Sequence, residues 1–73
     1  MVEFKDIIAA INKDKSLSKL VQNVSEKDIL MEVGFDSLDL MMLSLIIYTE
    51  FGLEYQLNGT NSFEDILTKL NNA

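Results

Sequence analysis

Gly34-Phe35-Asp36-Ser37-Leu38-Asp39 places one serine between two carboxylates, directly before the apolar run Leu40 to Tyr48. A serine hydroxyl there has two uses. It can serve as the nucleophile or attachment point of a group transfer, or as polar trim at a helix start. Chemistry performed by the chain alone needs a base, and the chain contains no histidine. A Ser-His-Asp triad, a histidine base and most zinc chemistry are therefore excluded. With no cysteine, neither a disulfide framework nor a thiolate metal site exists. An autonomous hydrolase or transferase is not expected, no catalytic or metal-binding residue is assigned, and any chemistry at Ser37 needs a base from another protein. A calcium loop built on Asp36 and Asp39 lacks the ligand spacing and glycine of an EF-hand.

The structural use of Asp-Ser is to open a helix. Asp36 is a good N-cap, and Asp39, three residues on, completes a capping box with Asp in place of Glu. On spacing alone, capping is the commoner role. The same physics suits a phosphate, because a helix start offers free N–H groups and the positive end of the dipole. Ser37, behind a bend permitted by Gly34, would show its hydroxyl where a phosphodiester could sit.

The elements that must hold this serine are helical. No proline and only three glycines occur, and repeated short strands with turn clusters are absent. Phe4, Ile7, Ile8 and Ile11 predict an amphipathic first helix over 2–13. Leu17, Leu20, Val21 and Val24 either extend it with a kink or form a separate turn. The segment 25–34 reads as a loop with local helical turns, pinned by Ile29, Leu30 and Val33. The central helix runs over 37–51, and Gly52 ends it in a left-handed conformation. Residues 53–62 form a loop with Asn58-Gly59 as its turn signal. A last helix starts after the N-cap Ser62, has Asp65 three residues on and carries Phe63, Ile66, Leu67 and Leu70 at helical spacing, with 71–73 fraying. The expectation is one all-α domain over 1–73, a small antiparallel bundle of three main helices with room for a short extra one.

At 48% hydrophobic residues the chain has enough apolar mass to fold. Twelve carboxylates against six lysines, and no arginine, give a net charge of −6. Nucleic acid and anionic membrane surfaces are disfavoured, and a partner with a basic patch is attracted. The first ten residues lack the pattern of a signal peptide, and the longest apolar run is far short of the roughly 20 residues that span a bilayer. A cytoplasmic monomer without stable membrane insertion is the expectation.

The run from Glu32 to Tyr55 resembles the prosthetic-group site and second helix of acyl carrier proteins. That family carries Gly-x-Asp-Ser-Leu followed by a helix ending in Phe-Gly. Gly34, Asp36, Ser37 and Leu38 match the motif, Phe51-Gly52 close the helix at the expected distance, and the likeness extends over essentially the whole chain. The resemblance implies that Ser37 attacks the pyrophosphate of coenzyme A and acquires a 4′-phosphopantetheine arm. A phosphopantetheinyl transferase would supply Mg²⁺ and activation, and Asp36 and Leu38 would flank the attachment point. The arm's thiol would carry acyl groups as thioesters to acyl-transferring, ketosynthase or ligase enzymes of fatty acid or specialised polyketide-like biosynthesis. The chain itself would be no enzyme.

The second helix departs from that family's acidic strip. At about 100° per residue, Leu40, Leu43, Ser44, Ile47 and Phe51 share the arc toward the core. Leu38, Met42, Leu45, Ile46 and Thr49 gather opposite, on the side expected to be solvated. Either neighbouring segments cover this apolar face, or it is a docking patch of Asp39, Met42, Leu45, Ile46 and Thr49 for a dedicated partner. Two other functions stay open: an aminoacyl or peptidyl carrier of the D-alanyl type, and a helical interaction module that is never modified.

Overall fold

α1, Phe4–Ile11, begins where the Asp6 carboxylate accepts the Glu3 N–H at 2.8 Å, satisfying one orphan donor of the first turn. The computed structural model describes residues 1–72 of the chain. Of the expected stripe of α1, Ile7 and Ile11 are buried and Phe4 and Ile8 half-buried, and Ala10 is buried beside them. The helix stops two residues earlier than its periodicity suggests, and the cause is Asp14. Its Oδ1 accepts the Ser16 and Leu17 N–H groups at 2.9 and 3.1 Å and the Ser16 hydroxyl at 2.7 Å. A carboxylate so engaged caps a new helix, so residues 17–24 do not extend α1. They enter α2, Lys15–Ser18, then a 3-10 turn over Lys19–Val21. The Ser16 hydroxyl first, and the Leu17 N–H next, hold the Asp14 carboxyl below its usual pKa.

The first long connection contains one further short helix, α3, Leu30–Val33. Ile29 pairs with Ser62 in an isolated antiparallel bridge, and Leu30 is fully buried. Gly34 ends α3 at φ 120°, a conformation side chains other than glycine resist, and its N–H donates to the Leu30 carbonyl at 3.2 Å. That bend turns Phe35 inward and leaves Asp36 to start α4, Ser37–Phe51. Gly52 closes α4 at φ 74°, in the left-handed conformation expected of it, with its N–H donating to the Tyr48 carbonyl at 2.9 Å.

α5, Phe63–Asn71, starts from Ser62, whose hydroxyl accepts the Asp65 N–H at 3.2 Å while Asp65 accepts the Ser62 N–H at 2.9 Å. Its end does not fray at Asn71, whose side chain accepts the Val2 N–H at 2.9 Å and donates to the Val2 carbonyl at 3.0 Å. Those two bonds tie the start of the described chain to its last helix. Asn72 caps the helix with its N–H donating to the Thr68 carbonyl at 3.1 Å, and Ala73 lies outside the described residues.

The class is all-α, and among the described residues extended pairing is confined to the one bridge. α1 packs against both α4 and α5. A single buried cluster draws at least one residue from every helix, from the 3-10 turn and from the segment before α5. Phe63 sits within it fully buried, with Phe4 and Phe35 edge-on at 5.7 and 6.2 Å between ring centres. Such edge-to-face pairs add to the stabilisation from burial. Among the described residues, no helix is long and apolar enough to cross a membrane.

Candidate functional site

Ser37 is the first helical residue of α4 and is exposed. Around it the capping box is complete. The Asp39 N–H donates to Asp36 Oδ1 at 2.8 Å, the Asp36 N–H donates to Asp39 Oδ2 at 3.1 Å, and the Leu40 N–H reaches the Asp36 carbonyl at 2.9 Å. The carboxylates are thus spent on the backbone, one on each side of the serine. The Ser37 and Leu38 N–H groups are left without intrahelical acceptors, as the first turn of any helix requires. The arrangement offers a solvent-facing hydroxyl at the positive end of a helix 15 residues long.

A groove of about 880 Å³ opens beside Ser37. Leu40, Met41, Ser44, Leu45 and Tyr48 of α4 form one wall, and the segment from Glu54 to Gly59 forms the other. That second wall went unrecognised in the sequence, where 53–62 reads only as a loop. The signal was the alternation of Leu53, Tyr55 and Leu57 with Glu54, Gln56 and Asn58, the period of an extended segment with one face inward. Leu57 is buried, Leu53 and Tyr55 are half-buried, and the alternate polar residues are exposed. The groove has a mainly apolar lining.

The candidate docking residues do not share one solvent-facing surface. Met42 and Ile46 are half-buried against the core, because α1 packs along that side of α4. Leu45 and Thr49 are exposed, and Asp39 is partly buried in the capping box. The expected outer arc is therefore rotated. The exposed apolar row is Leu38, Met41, Leu45 and Tyr48, at 63, 69, 64 and 52% exposure. Met41 and Tyr48 were not assigned to it from the sequence, although spacings of three, four and three residues set all four along one side of a helix. Of the residues expected inside, Leu43 and Ile47 are buried, whereas Leu40, Ser44 and Phe51 are half-buried.

Charge on α4 is asymmetric along its length. Lys13 Nζ meets Glu50 Oε1 at 2.7 Å near the end of the helix, while Asp36 and Asp39 stand at its start. Among the described residues, no group of three or more His, Cys, Asp or Glu side chains is placed to hold a metal ion.

A scan against protein-family models found no matching family, and searches of curated proteins and of solved structures found no match.

Proposed function

We propose that this chain is an acyl carrier protein whose attachment point for 4′-phosphopantetheine is Ser37. The observation that carries the reading is the exposed Ser37 hydroxyl on the first turn of α4, inside the Asp36–Asp39 box and at the mouth of a groove. The Gly34-x-Asp36-Ser37-Leu38 motif, Phe51-Gly52 and a fold of three longer helices with a short one before the serine support it. The prosthetic group fits this setting. A phosphodiester on Ser37 would lie beside the unpaired N–H groups of a helix start, and the arm beyond it has an apolar groove to follow.

In this reading the chain supplies position and a phosphotransferase supplies activation. Ser37 Oγ would attack the pantetheine-bearing phosphorus of coenzyme A, its proton passing to the partner's base as the pyrophosphate P–O bond breaks and adenosine 3′,5′-bisphosphate leaves. The partner also provides the Mg²⁺. When bound, the arm supplies a terminal thiol that holds acyl groups as thioesters. Asp36 fixes the helix start and hence the direction of the hydroxyl, and Leu38 begins the apolar row that a partner enzyme meets. The antiparallel bundle of the acyl-carrier type, service to fatty acid or polyketide-like biosynthesis, and the partners themselves belong to this proposal.

The docking surface in this reading is Leu38, Met41, Leu45 and Tyr48, with Asp39 at its start. Ion pairing of Glu50 with Lys13 leaves the carboxylates beside Ser37 as the charged end of the row. An enzyme that recognises it presents an apolar strip with cationic groups at the serine end. The test is incubation with coenzyme A and a broad-specificity phosphopantetheinyl transferase, followed by fragmentation of the product. Added phosphopantetheine on the peptide containing Ser37 supports the reading. A folded chain left unmodified by an active transferase overturns it in favour of an unmodified interaction module.

A further inference from the structure

We propose that Asn58-Gly59 is a site of spontaneous covalent modification, where the Gly59 main-chain nitrogen attacks the Asn58 side-chain amide. Asn58 is exposed, and its Oδ1 accepts both the Thr60 N–H, at 3.0 Å, and the Thr60 hydroxyl. The ring closed by the first of these bonds runs through Asn58 Cγ and the Gly59 nitrogen, so electrophile and nucleophile are held in one tight turn. Both donors point at the oxygen on which negative charge develops as the new bond forms, the arrangement that lowers the barrier to acyl transfer. Glycine leaves the attacking nitrogen unobstructed, whereas the other five asparagines precede Lys13, Val24, Ser62, Asn72 and Ala73.

The reaction balances without a co-reactant other than water. The bond from the Gly59 nitrogen to Asn58 Cγ forms, the Cγ–Nδ2 bond breaks, and ammonia departs with the Gly59 amide proton. Water then opens the cyclic imide at either carbonyl, leaving an aspartyl or an isoaspartyl linkage at position 58.

The position of the turn gives the change a consequence. The Gly59 carbonyl accepts the Met31 N–H at 3.0 Å, and the Asn61 carbonyl accepts the Leu30 N–H at 2.8 Å. A Cβ on Gly59 would fall 3.0 Å from Met31 Cβ, so the main chain lies hard against α3. An isoaspartyl linkage inserts a methylene into that main chain and carries the Gly59 carbonyl out of register with Met31. It also sets a new carboxylate in the wall of the groove beside Ser37. The isoaspartyl product therefore unlatches α3, and either product makes the groove more acidic.

The test is to age the folded protein in mildly alkaline buffer, then map peptides by mass and measure amide hydrogen exchange. Position 58 is expected to change from amide to carboxyl before any other asparagine, and Asn58→Gln, which disfavours the five-membered ring, is expected to remain unchanged there. The isoaspartyl form, separated from the aspartyl form by chromatography, is expected to lose protection at the Met31 amide while Leu43 in α4 keeps its own. Persistence of the Asn58 amide while another asparagine converts overturns the proposal. So does an isoaspartyl form that protects Met31 as fresh protein does.

Discussion

Asp36 and Asp39 exchange hydrogen bonds across the start of α4, each carboxylate accepting the other residue's N–H, at 2.8 and 3.1 Å. Ser37 stands between them with its hydroxyl uncommitted. The two carboxylates fix the backbone that carries the serine, which separates the holding of the site from the chemistry at it.

That separation is testable at one position. Asp36→Ala removes the cap and is expected to lower stability by about 1 kcal/mol, whereas Asp36→Asn caps nearly as well and should stay close to wild type. Urea unfolding measures both. If Asp36 also positions the hydroxyl for the transferase through its charge, Asp36→Asn will slow modification of Ser37 without lowering the unfolding midpoint. Equal losses in both assays would reduce Asp36 to a cap.

α4 is apolar on most sides, yet its faces carry different energetic weight. Leu43→Ala is expected to cost about 2–5 kcal/mol, since Leu43 is fully buried and its removal leaves a cavity. Leu45→Ala, two residues on and 64% exposed, should fall within about 0.5 kcal/mol of wild type. Comparable losses from the two would mean that Leu45 is covered.

The same pair shows where the sequence was legible and where it was not. Leu43 and Ile47 could be assigned inward from spacing, and the caps at Asp36, Ser62 and Gly52 could be read because each rests on contacts within a few residues. The outer face of α4 could not be phased, because nearly every position is apolar and only the packing of α1 tells Met42 and Ile46 from Met41 and Leu45. The start of α2 was undecidable for a related reason. Asp14 suits a surface position in a continuing helix as well as an N-cap, and the hydrogen bonds to Ser16 and Leu17 select the cap. Ser37 was legible as a helix start from its own neighbours. The groove wall opposite it was overlooked because the alternating residues 53–58 sit in a segment dominated by turn signals.

Met41→Glu and Leu45→Glu test the exposed row as a docking surface. Both should fold normally. With a phosphopantetheinyl transferase as the partner, each is expected to raise KM severalfold while kcat changes little, and the effect should persist at high salt, where charge attraction is screened. Unchanged KM for both would remove this row from the interface.

Acid should weaken the start of α2. Asp14 has its folded pKa below the ordinary value of 3.8, so its contribution to stability is fully present above that value and disappears as pH falls through the lower, folded one. Asp14→Asn keeps a neutral cap but forgoes the charge-assisted bonds. The urea midpoint of wild type is expected to exceed that of Asp14→Asn at neutral pH, with the gap closing in acid below the ordinary carboxylate range. Parallel curves across that range would contradict this.

The central claim concerns Ser37, and intact-mass measurement tests it most directly. After incubation with coenzyme A and an active phosphopantetheinyl transferase, wild type is expected to gain the mass of one phosphopantetheine, and Ser37→Ala, folded as wild type is, to gain none. A wild-type chain that stays folded and keeps its original mass, or a Ser37→Ala chain that gains the arm as readily, would contradict the account.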